Sequence, residues 1–262
     1  MKLSQAHQRF KNKYGFTKHP NLTTFENWAS AKTFSLKSLF PTIHKNEIHH
    51  IDLSVTSDFI HGEEEFNDLQ FLENKLDELQ RKVPTKIIAG GYLEKRALYT
   101  SDIYIRETEK GLEKRKIHLG VDFWLPKNTP VHALLEGEVV CVTDDSYHKG
   151  YGGLLILKHH VEDFYFYTLY GHNTVESVLK HAVGDCIKKG EQVAVLANYP
   201  ENGEWVPHLH FEIMLTLLDY TSDFPGVAFE SEIDIWRSIC PDPNLLFKLK
   251  GFKDNWKNLQ IG

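Results

Sequence analysis

The stretch "WVPHLHFEIM", residues 205–214, places two histidines one residue apart in a run that alternates apolar and polar residues. In a β-strand, residues i and i+2 point to the same face, so we expect His208 and His210 to emerge side by side, about 6 to 7 Å apart along the backbone. Two imidazoles so placed can both contact one small ligand or ion. An isolated pair of this kind more often consists of two polar residues on the solvent-exposed face of a half-buried strand. Further motifs are therefore needed to show that the pair belongs to a functional site.

The composition is that of an ordinary globular protein. The chain has 262 residues, of which 41% are hydrophobic and 25% charged, enough for one large domain or a domain with an appendage. A net charge of −6 provides no general basic surface, so we expect no nucleic-acid partner. We also expect no membrane span, because no stretch approaches 18 consecutive apolar residues.

The cysteines and the N-terminus indicate a compartment. Cys141, Cys186 and Cys240 are odd in number and widely spaced without a CxxC, so neither a disulfide framework nor a thiolate zinc site is suggested. Basic residues near the N-terminus are not followed by the apolar run of a signal peptide. We therefore expect reduced thiols and a cytoplasmic protein, with secretion that needs no N-terminal signal peptide left open. The sequence does not indicate an oligomeric state.

The first third of the chain contains one clear periodic segment. Residues 63–81 carry apolar side chains at steps of three and four, which predicts an amphipathic helix that ends before Pro84. The apolar positions of this helix are Phe66, Leu69, Leu72, Leu76 and Leu79. We expect this stripe to pack on the following domain, so that residues 1–90 form a partly helical N-terminal addition.

The remaining sequence is typical of β structure. After residue 91, short apolar runs are separated by glycine and proline, for example "VHALLEGEVVCV", "GGLLILKHH" and "HLHFEIMLTLL". Six such runs at this spacing indicate an antiparallel sheet system. We predict a mainly β domain over residues 91–250, an antiparallel β sandwich or open barrel, followed by a C-terminal tail over 251–262.

A second motif lies in "IHLGVDF", residues 117–123, where His118 and Asp122 are four positions apart. Gly120, Val121 and the following Pro126 argue against a helix, and the glutamate of a helical HExxH site is missing. In an extended strand the two residues would be about 13 Å apart, too far to share a metal ion. We therefore expect the chain to bend at Gly120, since glycine permits a bulge or sharp turn.

These segments together resemble the lysostaphin and LytM-type zinc metallopeptidases, a family of peptidoglycan endopeptidases. Five motifs of that family occur in family order across residues 117–213. They are the HxxxD pair, "NTPVHALLEGEVV", "YGH" at 170–172, "VGDCIKKGEQVAVL" and the HxH pair. Longer matches such as "GGYLEKRALY" and "ENGEWVPHLHF" resemble an intracellular branch, the peptidase-like domain of phosphotransferase/aminotransferase fusion proteins.

The resemblance implies a fold, a metal and an activity. The fold would be the lysostaphin-type (duplicated hybrid motif-like) antiparallel β fold, with one zinc ion per chain held by His118, Asp122 and His210. His172 and His208 would stand beside the zinc-activated water as general acid/base and oxyanion stabiliser. The implied function is that of a zinc metalloendopeptidase acting on peptidoglycan-derived or other short peptides.

This chemistry is consistent with the residue types. Three protein ligands leave an open position, as catalytic zinc sites do. A carboxylate ligand leaves the metal less positive than three histidines would, so the bound water is acidified less and a nearby base becomes useful. Histidine, with an ordinary pKa near 6.5, can take that proton and return one to the leaving amine.

The sequence also departs from the family pattern. Active members often carry a tyrosine shortly before the first metal histidine, where this chain has "EKGLEKRK" and the nearest candidate is the distant Tyr104. The loop before the HxH pair is bulkier than usual, and we predict that Tyr170, Asn202 and Trp205 bind substrate. The N-terminal segment and the loop "PENGEW" are expected to narrow access to the metal, which favours small soluble substrates.

Two other functions remain open. A zinc-binding module of low or no activity could bind peptide or cell-wall fragments, although the presence of all five site residues favours the enzyme because such residues act as a unit. The paired segments "VHALLEGEVV" and "VGDCIKKGEQVAVL" also suggest a biotinyl or lipoyl carrier. That class lacks support because Glu136 and Gly137 stand where a carrier presents its lysine.

Overall fold

The computed structural model describes residues 4–97, 99, 102–108, 111–253 and 255–256. The helices are α1 (Gln5–Tyr14), α2 (Leu22–Ser30), α3 (Leu36–Leu39), α4 (Gly62–Asn67), α5 (Leu69–Lys82), α6 (Val175–Val178), α7 (Ile233–Ile239) and α8 (Asn244–Phe247), with short 3-10 turns at Asp102–Tyr104 and Glu230–Glu232. The strands are β1 (Glu47–His50), β2 (Lys86–Gly90), β3 (Ile105–Thr108), β4 (Gly111–His118), β5 (Val121–Trp124), β6 (Pro130–His132), β7 (Gly137–Asp145), β8 (Gly152–Val161), β9 (Phe164–Asn173), β10 (Cys186–Ile187), β11 (Gln192–Val195), β12 (His208–Met214) and β13 (Val227–Phe229).

One eight-stranded sheet organises the chain, in the order β1-β2-β5-β12-β9-β8-β7-β10. All its neighbouring pairs are antiparallel except β1 and β2, which are parallel. Smaller sheets are formed by β11 with β6 and by β13, β4 and β3 in that order. The expected mainly β, antiparallel fold with a partly helical N-terminal addition is thus confirmed.

The N-terminal addition contributes strands as well as helices. β2 pairs with β5, so that Ile88 lies opposite Trp124 and Gly90 opposite Asp122, and β1 extends the sheet beyond β2. Hydrogen bonding therefore continues across the boundary proposed at residue 90. The division of the chain at residues 90 and 250 stays a proposal, and much of the predicted tail over 251–262 lies outside the described residues.

The helix predicted over residues 63–81 is interrupted. Asp68 has an extended conformation with ψ 96°, which ends α4, and its side chain accepts a hydrogen bond from the backbone N–H of Phe71 at 2.9 Å, which begins α5. Aspartate is a good N-cap, and this local bond competes with continued helix. The apolar stripe is still buried, because Phe66, Leu72 and Leu76 pack in one cluster.

The strand β12 separates two environments. Leu209, Phe211 and Ile213 face the main hydrophobic core, while His208 and His210 share the opposite face. This second face is not wet, because the whole of β12 is buried. The alternative of two solvent-exposed histidines is therefore wrong. No helix among the described residues is both long and apolar enough to cross a membrane.

Candidate active site

The chain bends between His118 and Asp122, as the sequence predicts. β4 ends at His118 and β5 begins at Val121, which brings His118 Nε2 to 3.3 Å from Asp122 Oδ1. At Gly120 in the bend, an added Cβ would lie 2.7 Å from the His210 ring. Glycine is needed here because any side chain would occupy the space of that imidazole.

His210 completes a cluster of three ligand atoms. It lies directly opposite Asp122 in the pairing of β12 with β5. Its Nδ1 is 3.1 Å from Asp122 Oδ1 and 2.9 Å from His118 Nε2. All three side chains are buried and are grouped so that they could hold one metal ion.

The outer nitrogens of both rings fix their tautomers. His118 Nδ1 donates to the carbonyl oxygen of Gly91 at 3.0 Å, and His210 Nε2 donates to Glu212 Oε2 at 3.1 Å. The inner nitrogen of His118 is thereby free to present a lone pair toward Asp122 Oδ1, and the inner nitrogen of His210 can present one when it gives up its proton. Three such atoms that converge in a buried space repel one another unless a proton or a metal cation lies between them.

The arrangement fits zinc. With bonds of about 2.0 to 2.2 Å, the ligands of a tetrahedral zinc ion are about 3.4 Å apart. The three distances in the cluster, 2.9, 3.1 and 3.3 Å, come close to this value. Two imidazole nitrogens and one carboxylate oxygen also form the usual donor set of catalytic zinc, with a fourth position left for water or substrate.

The other carboxylate oxygen of Asp122, Oδ2, accepts a hydrogen bond from a buried arginine. Arg96 Nη1 donates to Asp122 Oδ2 at 2.6 Å, and Arg96 Nε donates to Glu94 Oε2 at 2.9 Å. Both partners of the second bond are buried, Arg96 at 3% and Glu94 at 1% exposure. The guanidinium therefore fixes the orientation that aims Oδ1 at the two histidines.

Burial and charge set the protonation of the cluster. Burial lowers the pKa of His118 to about 3, and the charge of Arg96 adds to this effect. Burial opposes ionisation of Asp122, but His118 and Arg96 hold its pKa well below the ordinary value. Burial also opposes a charge on His210, yet Asp122 and Glu212 outweigh it and raise the pKa of His210 to about 9. Asp122 and His118 are thus in their ligand forms, and a metal must displace a proton from His210.

Two further histidines lie beside the cluster. His172 Nδ1 donates to the carbonyl oxygen of Asn202 at 2.9 Å, and His208 Nδ1 donates to that of Val206 at 2.6 Å. The two ring centroids are 4.3 Å apart, and His208 Nε2 is 3.7 Å from Asp122 Oδ1. Burial lowers the pKa of both imidazoles, so each is neutral with a free Nε2 that can accept a proton.

A cavity of about 380 Å³ opens onto these five side chains. Leu53 and Leu72 of the N-terminal addition form part of its wall, and Trp205 and Val206 of the loop before β12 form another part. The N-terminal segment and the loop "PENGEW" thus both contribute residues to the cavity wall, and their effect on access stays a prediction. The wall thus combines apolar and aromatic surface with a few polar groups, as ligand pockets do.

Two of the three predicted substrate-binding residues are elsewhere. Tyr170 is fully buried in the main core, where its hydroxyl accepts the backbone N–H of Leu134 at 3.3 Å. Asn202 is also fully buried, and its side chain bonds to both backbone groups of Trp205. The structure therefore assigns these two residues a structural position, because the strand alternation and the loop turn them inward, and only Trp205 reaches the cavity.

Several residues of the site could not be recognised from the sequence. Arg96 and Glu94 lie in the quoted segment "GGYLEKRALY", but nothing in their spacing marks them as partners of Asp122. Tyr151 contacts the rings of both His172 and His210, with centroid distances of 5.6 and 5.5 Å. Tyr104, which seemed too distant in sequence, lines the cavity. Among these residues, Tyr104 alone matches a family feature, the tyrosine that precedes the first metal histidine.

Comparisons with known proteins show similarity over the part of the chain that contains this site. Residues 116–220 match the model of Peptidase family M23. The uncharacterized lipoprotein YgeR of Escherichia coli (strain K12) is 33% identical over 94 residues, which are 36% of this chain and 33% of that protein. The chain thus matches about a third of the length of this curated relative.

Solved structures with similarity include two peptidases. A zinc containing peptidase from Vibrio cholerae shows 28% sequence identity and a TM-score of 0.31, with 41% of this chain and 30% of that chain covered. The catalytic domain of the antimicrobial peptidase lysostaphin from Staphylococcus simulans shows 23% identity and a TM-score of 0.31, with 45% and 80% covered. The five residues of the candidate site, which are His118, Asp122, His172, His208 and His210, lie within residues 116–220, the segment that is similar to Peptidase family M23.

Proposed function

We propose that the protein is a zinc-dependent metalloendopeptidase that hydrolyses peptide bonds in short peptides, including peptidoglycan-derived ones. The observation that carries this proposal is the convergence of His118 Nε2, Asp122 Oδ1 and His210 Nδ1 at mutual distances of 2.9 to 3.3 Å. Their outer atoms are hydrogen-bonded, so the inner atoms of His118 and Asp122, and that of His210 after loss of its proton, can act as metal ligands. A catalytic pair of neutral imidazoles opens onto the same cavity.

Different residues of the chain would bind the metal ion and position its ligands. His118, Asp122 and His210 would hold the zinc ion, which as a Lewis acid lowers the pKa of water and polarises the scissile carbonyl. Arg96 fixes the carboxylate of Asp122, and Glu212 fixes the ring of His210. These outer bonds keep the ligands in place without using the cavity side of either side chain.

His172 and His208 supply the proton transfers. Because burial keeps both imidazoles neutral, each Nε2 can accept the proton of the attacking water. The protonated ring then stabilises the developing oxyanion or gives its proton to the leaving amine. Their Nδ1 atoms donate to backbone carbonyls, so the rings are held with Nε2 free.

The substrate and the compartment are part of the proposal. The cavity is partly covered by Leu53, Leu72 and Trp205, which supports short soluble peptides over a polymeric wall. We place the activity in a reducing, cytoplasmic setting. The three cysteines, all free thiols, support this placement, and the thiol of Cys186 is exposed.

Mass analysis of reaction products tests the function. Zinc-loaded protein is incubated with peptidoglycan fragments and glycine-rich peptides, and we expect cleavage products that disappear after chelation of zinc. The variants His172→Gln and His208→Gln should bind zinc but lose turnover, while the exposed His160→Gln serves as the matched control and should keep it. Bound zinc and bound peptide without any product would favour the inactive binding module instead.

A further inference from the structure

A buried cation in the cavity wall has no role in the chemistry described above. Lys149 is only 4% exposed, and its ammonium lies 4.0 Å from the centroid of the Trp205 ring. None of the salt bridges among the described residues includes it. Glu204 influences it only through its charge, since the Glu204 carboxylate bonds His148 at 2.7 Å. A largely buried ammonium that has no salt-bridge partner loses hydration without a direct ion pair to replace it.

The backbone fixes this lysine in place. Lys149 has a positive φ of 64°, its N–H donates to the carbonyl of Gly203 at 2.9 Å, and its carbonyl accepts the hydroxyl of Tyr104 at 2.6 Å. A non-glycine residue in this conformation stores strain and persists only when its surroundings enforce it. The ammonium is therefore held at the wall of the cavity.

The position is close to the catalytic pair. Trp205 contacts Lys149, and the Trp205 ring lies 5.9 Å from the ring of His172. The two contacts place the ammonium within about 10 Å of that imidazole, which is the length of about three extended residues. A peptide cut beside His172 can thus present a group to Lys149 within three residues of the scissile bond.

The other charged groups of the cavity have partners of their own. Asp145 accepts the backbone N–H of Tyr151 at 2.8 Å. Asp223 and Arg115 both line the cavity, and the charge of Arg115 acts on Asp223. Burial lowers the pKa of Lys149 to about 8, and the opposing charge of Glu204 does not compensate for this effect.

We propose that Lys149 binds a carboxylate of the substrate, within three residues of the scissile bond. This inference rests on the proposed peptidase function and adds a substrate class to it, peptides that carry a negative charge near the cleavage point. The carboxylate is either the free C-terminus or an aspartate or glutamate side chain. A charge-assisted contact in a partly dry cavity contributes both affinity and register.

Binding measurements with matched peptides test the proposal. Zinc-loaded protein carrying His172→Gln, which blocks turnover, is titrated calorimetrically with pentaglycine as the free acid, with its C-terminal amide, and with an amide in which one glycine is replaced by aspartate. We expect the acid to bind about 10-fold or more tightly than the amide. Preference for the aspartate peptide over the plain amide would assign the carboxylate to a side chain.

Substitution of the lysine must remove the preference. In Lys149→Met and Lys149→Gln, the acid and amide should bind alike, whereas Lys158→Met, which removes an ammonium lying 4.4 Å from the Tyr165 ring outside the cavity, should leave the preference intact. Thermal melting shows whether each variant folds. If one of the two Lys149 variants does not fold, the other is used for the comparison. A carboxylate preference that survives in a folded Lys149 variant, or no preference in the parent protein, would overturn the proposal.

Measurements of turnover distinguish the proposed carboxylate site from the proposed peptidase function. With His172 restored, cleavage of acid and amide peptides at equal KM would keep the peptidase and remove the carboxylate site. Tight, Lys149-dependent binding of the acid without cleavage of any peptide would keep the carboxylate site and remove the peptidase. Both proposals stand if Lys149→Met raises KM for the acid about 10-fold and leaves KM for the amide unchanged.

Discussion

Nη1 of Arg96 lies 2.6 Å from Oδ2 of Asp122, while Oδ1 of the same carboxylate faces the two histidines of the cluster. The carbonyl of Gly91, five residues before Arg96, accepts the outer N–H of His118. Residues outside the segment matched by the family model thus form hydrogen bonds with two of the three candidate metal ligands, Asp122 and His118.

Replacement of this arginine should weaken zinc binding. Arg96→Lys keeps the charge but loses the fork that bridges Asp122 and Glu94, so we expect the affinity for zinc to fall about 10-fold or more. Competition with a chromophoric chelator measures this affinity.

Arg106 offers the matched control. It also bridges two carboxylates, those of Glu113 and Glu232, and neither belongs to the metal cluster. Arg106→Lys should therefore leave zinc affinity unchanged. Equal zinc affinity in the Arg96 variant and the wild type would show that the guanidinium does not position Asp122.

Loss of the Tyr170 hydroxyl should affect stability but not substrate binding. Tyr170→Phe leaves the buried N–H of Leu134 without its acceptor, which we expect to cost about 1 to 2 kcal/mol in the free energy of unfolding. Urea denaturation measures this loss. A change in KM without a change in stability would return Tyr170 to the substrate-binding residues.

His159 should make the protein sensitive to mild acid. Its Nδ1 donates to the carbonyl of Glu136 and its Nε2 accepts from Thr168, both at 2.7 Å, and burial lowers its pKa from 6.5 to about 4. Because the unfolded chain binds the proton more readily, the stabilisation is complete above pH 6.5 and is lost as the pH falls toward 4. At pH 5 the loss from this group is about 2 kcal/mol.

The neighbouring histidine tests this assignment. His159→Gln should reduce the difference in unfolding free energy between pH 7 and pH 5 by about 2 kcal/mol relative to the wild type. His160→Gln, at an exposed position of the same strand, should leave that difference as it is. Identical pH dependence in the wild type and the His159 variant would refute the role of this imidazole.

Much of the cluster was predictable because its residues lie in short motifs. The alternation around His208 and His210 fixes their common face, and Gly120 between His118 and Asp122 requires a bend. Both features depend only on residues that are close together in the chain, so they can be predicted from the sequence. The ligand assignment itself came from resemblance to a family, and the geometry supports it.

The rest depends on contacts between distant segments. Arg96 reaches Asp122 only because β2, β5 and the chain between them fold together, and no local pattern encodes that distance. The alternation of residues around Tyr170 is compatible with a position either in a substrate groove or in the core. Which of these applies depends on the residues packed against that face of the strand, and here they belong to the main core. The predicted single helix was interrupted because Asp68 forms a local cap, which competes with an otherwise continuous apolar stripe.

A zinc titration of the metal-free protein tests the central claim most directly. Peptide hydrolysis is followed by mass analysis while zinc is added in fractions of an equivalent per chain. We expect a rate that rises linearly up to one equivalent and then stays constant, with no activity and no stoichiometric zinc in a His118→Ala, His210→Ala double variant. Hydrolysis by the metal-free protein, or stoichiometric zinc retained by the double variant, would contradict it.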